Sequence, residues 1–194
     1  MEGKSLDLRY LVLALVGYSE EQKLMGRTLL QKRAYFINKF LKLGVPFEPY
    51  YYGPYSEKLA SATDSLVAEG FLEETSESFP FSSVDIFEHH RYTYTLTPAG
   101  REILDIIEKE NPVFSRIKGT SRQVEEKAGC DYQCLSIAAK VFHLLENEQR
   151  EMLVSEICEA AKSLRWQISK EQIDSAAKFL IDMNLIREIT NVVR

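Results

Sequence analysis

The sequence predicts a mainly α-helical chain with a small antiparallel sheet, an α+β arrangement in which a helix-and-hairpin unit precedes a second helical, helix-turn-helix-like unit. Three observations predict it. Apolar residues recur at helical spacing along most of the 194 residues. Two short alternating segments, residues 71–75 and 91–96, flank a long polar stretch and read as the strands of a hairpin. The pattern of residues 59–74 (LASATDSLVAEGFLEE) returns at 173–188 (IDSAAKFLIDMNLIRE), each copy running a helix into a turn-forming residue and an apolar strand.

Residues 5–17 are apolar almost all round, the pattern of a helix buried between other elements, and residues 19–23 make the loop after it. Thr28 and Gln31 have capping-box spacing, which predicts a helix over residues 29–43, stopped by Gly44. Its apolar arc holds Leu29, Leu30, Ala34, Phe36, Ile37 and Phe40, and its outer face Lys32, Tyr35, Lys39 and Lys42. Arg33 falls inside the apolar arc, so its guanidinium needs a partner, with Glu48 or Glu57 nearest along the chain. Residues 47–52 are aromatic and bounded by Pro46 and Gly53-Pro54, an edge strand by composition. Pro54 suits the first turn of a helix reaching Glu69, with Leu59, Thr63, Leu66 and Val67 inward and Gly70 as its stop. The hairpin follows around residues 76–90, and Thr97-Pro98 caps and opens the next helix. That succession is the order of a winged helix, placed at residues 1–110.

Asn111-Pro112 breaks the chain, and a polar amphipathic helix over 113–127 links to residues 111–194. Helices are expected there at 131–146, 154–164 and 169–183, then a short strand at 185–189, giving a second, degenerate winged helix.

Apolar residues make up 45% of the chain and charged residues 27%, enough to bury about 70% of the unfolded surface without disulfide or metal. Neither a signal-peptide pattern nor an apolar run long enough to span a bilayer is present, which predicts a cytoplasmic protein without membrane contact. Cys130, Cys134 and Cys158 are an odd set and read as reduced thiols. Cys130 and Cys134, even with His143 near, lack the Cys-x-x-Cys spacing of structural zinc, so no metal is expected. Glycine-rich phosphate loops, nucleophile elbows and His-Glu-x-x-His motifs are absent from the sequence, and with three His the chain reads as non-enzymatic and free of cofactors.

Two stretches carry a family resemblance. Residues 92–100 (YTYTLTPAG) resemble the wing-to-helix signature of MarR- and PadR-type winged-helix regulators. Residues 29–41 (LLQKRAYFINKFL) with 51–59 (YYGPYSEKL) resemble the helix and turn of YwgA-like proteins and, more distantly, the Panacea antitoxin domain. Arg33 departs from the apolar residue usual at that place. The first resemblance implies binding to DNA; the Panacea likeness implies a grip on another protein.

The composition divides between these partners. A net charge of −5 argues against non-specific coating of nucleic acid. The helix before the hairpin would show Glu57, Lys58, Asp64 and Glu69 outward, with Ser61 and Ser65 the groups able to meet bases. Backbone contacts to double-stranded DNA would fall to Arg27, Lys32, Lys39, Lys42, His89, His90 and Arg91. A protein partner would instead meet Tyr50, Tyr51, Tyr52, Tyr55, Glu57 and Asp64. The expectation is a DNA-binding regulatory homodimer, with a protein-binding adaptor of the same fold as the alternative.

Overall fold

The computed structural model describes residues 6–78, 90–128 and 132–187, with His90 through its backbone alone. It is mostly helical with one three-stranded antiparallel sheet. Helix α1 (Leu8–Gly17) is capped by the Asp7 carboxylate, which accepts from the Arg9 amide, and every residue from Leu11 to Val16 is buried. Its apolar circumference is used up by contacts with helices on several sides and with the sheet.

A single 3-10 turn (Glu20–Gln22) leads into β1 (Lys23–Met25), a strand where the sequence predicted a loop. Three residues are too few to show an alternation. The strand exists because Leu24 enters the core opposite Tyr94 of β3 (His90–Leu96). Strand β2 (Leu72–Ser78) pairs with the other edge of β3, in register from Leu72 with Leu96 to Ser78 with His90, giving the order β1-β3-β2. The hairpin expected from residues 71–75 and 91–96 is therefore present; the turn joining its strands lies outside the described residues.

Helix α3 (Glu57–Ala68) precedes β2 and is capped by Ser56, so Pro54 lies ahead of the helix and not in its first turn. Helix α4 (Pro98–Glu110) opens as expected: the Thr97 hydroxyl accepts from the Gly100 amide at 3.1 Å. A Cβ on Gly100 would lie 2.1 Å from the Phe71 carbonyl oxygen, so this helix reaches the hairpin only through a glycine.

Helix α2 (Arg27–Leu41) departs most from expectation. It begins two residues early, at Arg27 after Gly26, and has no side-chain cap, so the Thr28–Gln31 capping box does not form. It ends at Lys42 in the left-handed conformation, before Gly44. Residues 29–38 are buried on all sides, including Lys32 and Tyr35, which the periodicity had placed outward. Helix α5 (Val113–Ala128) supplies one of the covering surfaces and is no mere linker, since it buries Phe114, Ile117 and Val124. Helix α6 (Tyr132–Glu148) packs along α2 as well, α1 and β1 cover further sides, and α7 (Val154–Ser163) and α8 (Lys170–Asp182) pack on α6. The Phe36 and Phe179 rings meet edge-on at 5.2 Å, and Tyr35 meets Phe142 at 6.4 Å, so one apolar core runs across residue 110.

The internal repeat appears in the helix ends. After α3, Gly70 is left-handed and the Phe71 amide donates to the Leu66 carbonyl at 2.9 Å; after α8, Asn184 is left-handed and the Leu185 amide donates to Leu180, also at 2.9 Å. The copies then diverge, because residues 185–187 form no strand, and the rest of the expected strand lies outside the described residues.

Candidate functional site

Residues 47–52 are not a strand. One isolated bridge joins Glu48 to Tyr55, and the chain between folds into a turn in which the Gly53 amide donates to the Tyr50 carbonyl at 2.9 Å. Gly53 has φ +99°, and a Cβ there would lie 2.9 Å from Lys140 Cγ, so the position suits glycine on both counts. Alternate carbonyls of this segment each accept a side-chain donor from elsewhere. Trp166 Nε1 donates to Tyr50 at 2.7 Å, Ser136 Oγ to Tyr52 at 2.9 Å, Lys32 Nζ to Pro54 at 2.7 Å and Gln31 Nε2 to Ser56 at 3.0 Å. The Ser56 amide returns a bond to Gln31 Oε1 at 2.9 Å. Gln31 and Lys32 thus hold the Tyr-Gly-Pro-Tyr-Ser turn, which is the physical link between two motifs about twenty residues apart that sequence reading could only juxtapose.

The clamped turn faces the start of α2 and strand β3 across a cavity of about 410 Å³. Six tyrosines line it, Tyr50, Tyr52, Tyr55, Tyr92, Tyr94 and Tyr132, over a floor of Leu29 and Leu30. Tyr50 and Tyr55 are packed face to face with a tilt, ring centres 5.1 Å apart. Arg27, Lys32, Arg91 and Asp64 bring charge to the walls. Arg27 is already engaged: it bonds Glu74 at 3.0 Å and the Tyr94 hydroxyl at 3.0 Å, and its guanidinium lies 3.8 Å from the Tyr92 ring centre. Lys32 is 1% exposed, and among the described residues neither it nor its neighbour Lys140 meets a carboxylate. Burial, aided by the Lys140 charge, pushes the Lys32 ammonium down to about 7.

Arg33, on another face of α2, has a different environment. Its Nη1 lies 2.5 Å from Glu125 of α5 and donates to Ser19 Oγ at 2.7 Å, and Ser19 donates on to the Leu15 carbonyl. The partner is thus neither Glu48 nor Glu57 but a residue far along the chain, on a helix that sequence reading had set apart from this packing. Burial raises the Glu125 carboxyl above its usual range although Arg33 acts to lower it. A third cation, Lys39, pairs with Glu146 of α6 at 2.7 Å, and the Tyr35 hydroxyl donates to the same carboxylate at 3.0 Å.

The residues expected to meet DNA are therefore scattered. Lys32 is enclosed, out of reach of the phosphate backbone of a duplex; Arg27 and Lys39 are paired; Lys42 is exposed at the far end of α2. Ser61 is exposed, and Ser65 donates its hydroxyl to the Ser61 carbonyl at 2.9 Å. Arg91 is exposed beside the cavity, while His89 and the His90 side chain lie outside the described residues. The residues expected to meet a protein are closer together. Tyr50 and Tyr51 are 61% and 52% exposed, Tyr52 and Tyr55 are half-buried behind them, and Glu57 and Asp64 are exposed on adjoining α3. Sequence reading missed Met25 and Tyr132, 53% and 41% exposed near the same cavity, because isolated residues in a short strand and at a helix start give no pattern. Cys134 and Cys158 are half-buried, and Cys130 lies outside the described residues. His143 is buried, with Nε2 3.0 Å from Asn147. Among the described residues no helix is long and apolar enough to cross a membrane.

Fold and site together define a mainly helical α+β protein built around a tyrosine-walled cavity. No protein-family model matches the chain. It is similar to the uncharacterized protein YwgA of Bacillus subtilis strain 168, 26% identical over 170 residues that cover 87% of this chain and 93% of that protein. This likeness supports the resemblance carried by residues 29–41 and 51–59.

Proposed function

We propose that the chain is a non-enzymatic adaptor on a winged-helix scaffold, gripping a partner protein with the face around the Tyr50–Tyr55 turn. The observation that carries this reading is the fate of the charges. Of the cations expected to meet DNA, Lys32 is enclosed and Arg27 and Lys39 are paired, and α3 with its cap turns Glu57, Asp64 and Glu69 to solvent against Lys58. Such a face repels phosphates, whereas exposed Tyr50, Tyr51, Met25 and Tyr132 beside carboxylates suit a partner with an apolar, basic surface. The backbone of the turn is fixed by four side-chain bonds, so the rings are presented with little ordering cost on binding.

The DNA-binding reading keeps one point in its favour, the β2–β3 hairpin with Arg91 near its outer end. Duplex binding measured against salt separates the two. The adaptor reading expects no measurable binding at low salt, and a log-log slope of several phosphates would overturn it. In the positive arm, a stoichiometric partner recovered with the native chain should be lost with Tyr50→Ser/Tyr51→Ser and with Glu57→Lys/Asp64→Lys. Retention of the partner by both variants would place the interface elsewhere.

A further inference from the structure

The cavity asks for something its walls do not supply. Lys32 is a cation enclosed at 1% exposure, facing a cavity, and it uses one of its three donors on the Pro54 carbonyl. A second half-buried lysine, Lys140, flanks the same glycine, and among the described residues neither has a counter-ion. Enclosing a positive charge without a carboxylate is costly, and chains rarely keep such a group where methionine would fill the space. Helix α2 starts beside the same cavity without a side-chain cap, so its dipole adds positive potential there. The one carboxylate on the walls is Asp64, exposed on α3. The remaining surface is aromatic, and its volume falls within the range of about 300–1,000 Å³ typical of small-molecule sites.

We infer that this cavity binds a small aromatic acid, its ring between the tyrosines and its anionic group on Lys32. The rings give a planar ligand area and stacking; the ammonium, sitting in a dry place, gives it orientation. A lysine that served the turn alone would leave acid and amide bound alike, and the charge of the ligand therefore decides.

Binding to the purified full chain tests this with no partner protein present, so its outcome is independent of the adaptor reading. Titration calorimetry with 1-naphthoate should give saturable one-to-one binding. The neutral isostere 1-naphthamide and the ringless anion acetate should each bind at least about tenfold more weakly, as loss of a charge-assisted bond or of stacking implies. Phenyl phosphate, set beside benzoate, tells whether the acid the site prefers is a phosphate or a carboxylate. Lys32→Met should lose at least about tenfold more in naphthoate affinity than in naphthamide affinity. If that variant does not fold, the acid-against-amide comparison on the wild type decides. The inference is overturned if naphthoate does not bind, if acid and amide bind alike, or if Lys32→Met binds the acid as the wild type does.

Discussion

Lys32 and Arg33 are neighbours on α2, both positively charged and both buried, yet the two sides of the helix treat them in opposite ways. On the α5 side Arg33 is paired with Glu125 and bonded to Ser19, so its charge is matched within the protein. On the cavity side Lys32 has a carbonyl and no counter-ion among the described residues. A matched buried pair is a structural solution, costly to break but replaceable as a unit. An unmatched buried cation is a standing cost, and the sheltered space in front of it is where that cost would be offset. Burial alone does not distinguish the two; the partner does.

The largest expected effect tests the matched side. Arg33→Ala or Glu125→Ala should each lower stability by about 3–5 kcal/mol in urea unfolding, because each strands a buried charge. Arg33→Leu with Glu125→Leu should recover most of that loss, and a double variant as unstable as the sum of its parts would show the two residues are not coupled.

The next effect tests the unmatched side through pH. The folded Lys32 ammonium loses its proton at about 7, whereas in the unfolded chain it keeps it to its ordinary value of 10.5. Between those values the unfolded state holds more protons, so wild-type stability from this group rises with pH. Lys32→Met removes the linkage, and the stability difference should move by about 3 kcal/mol toward the wild type from roughly pH 6.5 to 9.5. A pH-independent difference would mean the amine is solvated after all.

Gly53 lies between Lys32 and Lys140, and Gly53→Ala should cost about 2 kcal/mol by backbone strain and the approach to Lys140, measurable as a lower Tm. Smallest is Tyr35→Phe, which removes one bond to Glu146 and should cost about 1 kcal/mol; a larger loss would show that this carboxylate also depends on the tyrosine to hold Lys39.

Sequence reading recovered elements set by local chemistry. Thr97-Pro98 opened α4, the segments at 71–75 and 91–96 paired as a hairpin, and the helix expected at 169–183 is α8. It failed where distant packing overrode local pattern. Lys32 and Tyr35 looked solvent-facing because helical periodicity assumes one wet face, and α2 has none once α1, α5, α6 and β1 cover it. The spacing of Thr28 and Gln31 suggested a cap, but Gln31 spends both polar atoms on Ser56. Tyrosine-rich residues 50–55 were legible as a cluster, while the cavity behind them was not, since its walls come from α2, the turn, α3, β3 and α6.

The clamped turn bears on how the protein is made. Its bonds reach 22 and 25 positions along the chain to Lys32 and Gln31, but 84 to Ser136 and 116 to Trp166. A ribosome that has released residues 1–110 has therefore supplied two of the four latches, and the aromatic face cannot set until α6 and Trp166 emerge. Were this face the docking surface of an adaptor, a half-synthesised chain would present it unformed, with two of its four hydrogen bonds still to come.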